Sequence, residues 1–111
     1  MRYIILITIL ILTGFTTLQN TILNKYAWLD VPVNIVKEMP EQCEGLEGCT
    51  IVKTYKTYQQ KDVYISEDAV DFEDVLAHEL LHYYYTNETE EEIIRLTPYF
   101  KDYINKQYVR Y

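Results

Sequence analysis

Positive charge is scarce in this chain. The 111 residues include ten Lys and Arg against seventeen Asp and Glu, which gives a formal net charge of −7. Nucleic-acid binding needs a basic surface that neutralises phosphates, and the same deficit disfavours contact with an anionic membrane surface. The sequence therefore predicts no nucleic-acid partner, and it confines any membrane contact to the apolar N-terminal segment.

Cysteine is equally scarce, with two residues, Cys43 and Cys49. They bracket a short loop that contains two glycines, so in an oxidising compartment they can pair and close the loop. Two free thiols are the alternative interpretation. A zinc knuckle is disfavoured, because the spacing is long and no further Cys or His is left over to complete four ligands.

Acidic residues are absent before Asp30, and an apolar run over residues 3–12 follows Arg2. A short positive start followed by an apolar run is typical of a signal peptide, while the uncharged stretch is also long enough for an uncleaved membrane anchor. A buried core helix is a third interpretation. Either of the first two places the rest of the chain outside the cytoplasm. We assign residues 1–22 to a signal peptide or anchor and residues 23–111 to a single extracytoplasmic domain, secreted or membrane-anchored.

Three segments rich in β-branched residues are predicted as strands: residues 31–36, 50–55 and 61–66. A helix is predicted after Asp71, which can cap it, and it runs to about Tyr85. Strands followed by helices indicate an α+β domain, here a small sheet of about three strands followed by two helices.

The second helix is predicted to begin at Thr89, because Thr89 and Glu92 form a capping-box pattern. Pro98 is a candidate kink within it. The apolar residues predicted on its inner side are Ile93, Ile94, Leu96 and Phe100.

Both histidines of the chain lie in one segment, HELLH at residues 78–82. Four residues apart on a helix, His78 and His82 share one face and can bind one zinc ion. Glu79 lies beside them, where its carboxylate can take a proton from a zinc-activated water. The segment predicts metal-assisted hydrolysis of an amide bond with Glu79 as general base. The competing interpretation is an accidental pair of buried neutral histidines.

The HELLH segment, in the context VLAHELLHYYY, resembles the active-site helix of the zincin metallopeptidases, and the chain is most similar to minimal gluzincins. The resemblance covers residues 61–100, and within it only the five-residue motif is specific. It implies an edge strand that aligns a peptide or protein substrate, and a second helix whose glutamate is the third zinc ligand. Residues 63–65 are the expected edge strand, because they lie just before the helix. No third histidine follows His82, so the metzincin pattern is not met.

Three neighbouring glutamates are candidates for that third ligand. The helical wheel favours Glu90, which lies on the apolar side of the second helix. Glu92 is favoured instead if the second helix must descend about one turn before it reaches the level of the zinc. Glu91 is the compromise. The predicted metal ligands are therefore His78, His82 and Glu91, with Glu90 and Glu92 as alternates.

The predicted function is that of a zinc metallopeptidase, a hydrolase that holds one zinc ion. The alternative is a catalytically inactive zinc-binding or interaction module tethered to a membrane. For the interaction module, the expected contact surface is the tyrosine-rich segment at residues 99–111.

Overall fold

The computed structural model describes residues 17–109, which form three α-helices and a three-stranded sheet. The predicted α+β class is confirmed. In chain order the elements are α1 (Thr17–Tyr26), β1 (Val33–Val36), β2 (Gly48–Thr54), β3 (Gln59–Ser66), α2 (Phe72–Tyr84) and α3 (Glu90–Val109), with short 3-10 turns at Ala27–Leu29 and Glu41–Cys43. The three predicted strands and the two predicted helices are all present, with small shifts at their ends.

The sheet is mixed, and β3 is its central strand. Val63 of β3 pairs with Val33 of the parallel strand β1 on one side and with Thr50 of the antiparallel strand β2 on the other. The prediction that residues 63–65 form an edge strand is therefore wrong. Both hydrogen-bonding sides of β3 are already occupied, and the free edges belong to β1 and β2.

Helix α2 begins where the sequence predicts, because Asp71 caps it. Its side-chain Oδ1 accepts a hydrogen bond from the backbone N–H of Asp74 at 3.1 Å, and this satisfies one of the free donors of the first turn. Leu76 and Leu80 are fully buried in the core that also contains Val63 and Ile65 of β3. Burial of each such side chain contributes about 1.5–3 kcal/mol, so this packing fixes the helix on the sheet.

Helix α3 begins with the predicted threonine cap, since Thr89 Oγ1 accepts a hydrogen bond from the Glu92 N–H at 3.1 Å. The helix continues past the exposed Pro98 as far as Val109. Ile93 is fully buried, which confirms one inner residue. The prediction of Ile94 on the same side is wrong, because its side chain is 58% exposed. One position along a helix is a rotation of about 100°, enough to turn Ile94 to solvent.

Helix α1 packs against the domain through three buried residues, Ile22, Leu23 and Tyr26. The predicted boundary after residue 22 falls inside this helix. The apolar run at residues 3–12, on which the signal-peptide or anchor prediction rests, lies outside the described residues. Within residues 17–109, no helix combines the length and the apolar character needed to cross a bilayer.

Candidate metal centre

The two histidines project from successive turns of α2 onto one side of the helix. The ring centroids of His78 and His82 are 4.9 Å apart and the ring planes are inclined by 65°. About one fifth of each side chain is exposed, 20% for His78 and 22% for His82, so both rings can be reached from solvent. The placement follows from the helical spacing of four residues.

Glu90, the first residue of α3, lies directly against both rings. Its Oε1 atom is 2.5 Å from Nε2 of His78, and its Oε2 atom is 3.2 Å from Nε2 of His82. The ligand atoms of the three residues all lie within 4.8 Å of one another, which is close enough to bind one metal ion. Two imidazole nitrogens and one carboxylate form a donor set that zinc accepts in catalytic sites.

The structure brings the alternate Glu90 to the histidines and leaves the first-choice Glu91 away from them. Glu91 is exposed. Glu92 accepts a hydrogen bond from Arg95 on the same helix, and this bond lowers the pKa of the Glu92 carboxyl. The reason is helical phase. Glu90 shares the side of α3 that buries Ile93, whereas each further residue is rotated by about 100°. The structure thus places Glu90 as the helical wheel predicts, and it does not bring Glu92 to the histidines.

Glu79 lies beside the histidines on α2 and is buried, with 7% of the residue exposed. Burial raises the pKa of the Glu79 carboxyl above its ordinary value of 4.5. A hydrogen bond from Thr50 and the nearby His82 act in the opposite direction, while Glu90 adds to the increase. A carboxylate with a raised pKa beside candidate metal ligands is suited to accept and release a proton.

Thr50 on β2 is a site residue that sequence reasoning missed. Its Oγ1 atom is 2.9 Å from Glu79 Oε1 and 2.9 Å from the backbone oxygen of Glu79. No motif marks a threonine in a strand as the partner of a glutamate distant in sequence. Only the packing of β2 beside α2 reveals the contact.

An open cleft runs between β2, the C-terminal half of α2 and the start of α3. The residues that line it are Leu46, Gly48, Cys49, Thr50, Val52, Glu79, His82, Thr86 and Glu90. Gly48 allows the close approach of β2 to α2, since a Cβ there would lie 2.5 Å from Val75 Cγ1 and 3.0 Å from Glu79 Cγ. The strand that borders the cleft is therefore β2, not the segment predicted from the sequence.

Cys43 and Cys49 form a disulfide with their Cα atoms 6.2 Å apart, which confirms the predicted pairing. The bond closes the loop that leads into β2 and contains Leu46, one of the residues that line the cleft. Disulfides persist in oxidising compartments, so this bond favours an extracellular location.

Comparison with known protein families, with curated proteins and with solved structures gives no match to this chain. The chemistry of the cleft is therefore the basis for assigning a function.

Proposed function

We propose that this protein is a zinc-dependent peptidase that acts outside the cytoplasm. One observation carries the proposal: two imidazole nitrogens and the Glu90 carboxylate converge beside a cleft that His82, Glu90 and the buried Glu79 line. This is the arrangement expected for the zincin resemblance of the HELLH segment, with Glu90 in place of Glu91.

The donor set supports zinc as the metal. His78, His82 and Glu90 would hold the ion, and they provide two nitrogens and one oxygen. All three side chains are partly exposed, which leaves room for substrate. When bound, zinc supplies Lewis-acid chemistry, which polarises a carbonyl group and makes water more acidic.

Glu79 is the general base in this proposal. Its carboxylate accepts a proton from the attacking water and then returns the proton to the amine nitrogen that leaves. Burial beside the cleft supports this role, because the raised pKa makes the carboxylate a stronger proton acceptor. It also keeps the carboxylate largely out of bulk solvent.

The substrate of the proposed enzyme is a peptide or protein in extended form. Strand β2 lies at an edge of the sheet, and Gly48, Thr50 and Val52 line the cleft. A peptide that adds to the free edge of β2 through backbone hydrogen bonds would pass next to Glu79 and the metal ligands. In this proposal β2 takes the aligning role that the sequence assigned to residues 63–65.

The location of the proposed enzyme is extracytoplasmic. The disulfide favours an oxidising compartment, and the apolar run at residues 3–12 is the basis for export or anchoring. The protein would thus be secreted, or attached to the membrane by its N-terminal segment.

The experiment that tests the proposal measures zinc content and hydrolysis together. The parent protein, Glu79→Gln and the exposed control Glu91→Gln are loaded with zinc and incubated with an unfolded protein substrate. We expect one zinc per chain in all three and hydrolysis by the parent and by Glu91→Gln only. Bound zinc without hydrolysis by the parent would favour the alternative, an inactive zinc-binding module. A chain that takes up no zinc would remove both metal functions.

A further inference from the structure

We infer that Thr50 is a positioning residue for the proposed reaction, which holds the Glu79 carboxylate against the edge strand. The inference rests on the proposed peptidase function and deepens it, because it identifies a residue that neither the HELLH motif nor the metal-ligand geometry includes. The hydroxyl of Thr50 lies 2.9 Å from Glu79 Oε1, and no other side chain among residues 17–107 is seen to donate a hydrogen bond to that carboxylate.

The Thr50 hydroxyl has a second neighbour on the backbone of α2. Thr50 Oγ1 is also 2.9 Å from the backbone oxygen of Glu79, so one hydroxyl faces both the main chain and the side chain of the same residue. An ionised carboxylate is a stronger acceptor than a backbone carbonyl, so the proton is directed to Oε1 when Glu79 is charged. The backbone oxygen of Glu79 then remains a near neighbour of Oγ1 without accepting its proton, and the hydrogen bond to Oε1 joins the hydroxyl to Glu79.

Gly48 completes the restraint on Glu79 from the same strand. Gly48 and Thr50 are two residues apart on β2, so they present the same face of the strand to α2. A Cβ at Gly48 would lie 3.0 Å from Glu79 Cγ, which means that the backbone of β2 already lies close to the methylene groups of Glu79. The side chain is thus held at its stem by Gly48 and at its carboxylate by Thr50.

This arrangement links the base to the strand that would align the substrate. A peptide bound along β2 takes its position from that strand, and Glu79 takes its position from Thr50 on the same strand. The distance between the scissile carbonyl and the base is then set by one rigid element. Small errors in such distances reduce rates strongly, so loss of the hydroxyl should affect turnover more than binding.

The test compares Thr50→Val, which removes the hydroxyl and keeps the branched shape, with Thr50→Ser, which keeps the hydroxyl. Thr57→Val, in the exposed hairpin turn, is the matched control for the same chemical change. For Thr50→Val we expect kcat to fall by about tenfold to a hundredfold, as for a lost hydrogen bond to a charged group, with KM within about twofold and zinc affinity unchanged. Thr50→Ser should retain most of kcat, and Thr57→Val should match the parent.

The outcomes separate this inference from the proposed function. An active parent with Thr50→Val as active as Thr57→Val would overturn the Thr50 assignment alone. A fall in Thr50→Ser as large as in Thr50→Val would also overturn it, because the hydroxyl would then not be the cause. If Thr50→Val does not fold, Thr50→Ala is compared with Thr50→Ser by the same criteria. A zinc-loaded parent without hydrolysis would remove the peptidase function and this inference together.

Discussion

The Glu90 carboxylate lies against the ring of His78, with Oε1 2.5 Å from Nε2. This contact joins the first residue of α3 to the middle of α2, and the second carboxylate oxygen reaches His82 at 3.2 Å. The relationship identifies one glutamate of three adjacent ones as the partner of the histidines.

Zinc affinity should therefore depend on Glu90 and not on its neighbour. We expect Glu90→Gln to weaken zinc binding by at least about a hundredfold, since it removes the one carboxylate donor of the set. Glu91→Gln, the same change one residue later, should leave the affinity unchanged because the group of converging ligand atoms contains Glu90 and not Glu91. Competition with a chromogenic chelator measures both values. Equal affinities in the two variants would contradict the Glu90 assignment.

The alkaline stability of the protein should depend on Tyr26. Its hydroxyl donates to Glu73 Oε2 at 2.8 Å, and burial, together with this hydrogen bond to Glu73, raises the pKa of the phenol well above its ordinary value of 10.0. Above pH 10 the unfolded chain loses this proton while the folded chain retains it, so the contribution of Tyr26 to stability is lost as pH rises. Below pH 10 the contribution is fully present.

The measurement compares urea unfolding of the parent and of Tyr26→Phe across this range. Near neutral pH we expect Tyr26→Phe to be less stable by about 1.5–3 kcal/mol, because a hydrogen bond to a charged group is lost. The difference should narrow as the pH is raised beyond 10. A difference that stays constant with pH would contradict the raised pKa.

The close approach of β2 to α2 should require glycine at position 48. In Gly48→Ala the new methyl would lie 2.5 Å from Val75 Cγ1, and separation of the strand from the helix should cost about 1–3 kcal/mol of unfolding free energy. Val75→Ala removes the nearest obstructing atom. The double variant should therefore lose less stability than the sum of the two single variants, as chemical denaturation would measure. Strict additivity would show that the two positions do not interfere.

The disulfide should stabilise the fold without contributing to metal binding. Cys43 and Cys49 close a loop with a sequence separation of six residues, for which chain entropy predicts about 2 kcal/mol of stabilisation. We expect the free energy of unfolding of the double variant Cys43→Ser, Cys49→Ser to be lower by about 2 kcal/mol, as denaturant unfolding would measure. Its zinc affinity should equal that of the parent, because the three proposed ligands lie on α2 and α3. A large loss of affinity would show that the loop supports the metal site directly.

Local sequence signals explain the part of the fold that was predictable. Asp71 and Thr89 accept hydrogen bonds from the first turns of their helices, and such caps depend on residues only three positions apart. The spacing of His78 and His82 places both rings on one face of any regular helix. These features were predictable because they need no information about packing.

The wrong predictions concern strand order and helix rotation, which depend on contacts between elements distant in sequence. Residues 63–65 lie next to the HELLH helix in sequence, yet β1 pairs with β3 on the side away from β2 and makes β3 the central strand. Ile94 and Ile93 are equally apolar, and only the docking of α3 decides which of them is buried. Strand order and helix rotation depend on the whole core, so local patterns do not specify them.

The sequence by itself determined the α+β class and the presence of both histidines and Glu79 on one helix, and it gave the disulfide as one of two interpretations of the cysteines. Those features follow from residue type and short-range spacing. Tertiary structure alone decided that Glu90 meets the histidines and that Thr50 holds Glu79. The physical reason is that both contacts join elements distant along the chain, and their partners are chosen by how α3 and β2 pack against α2.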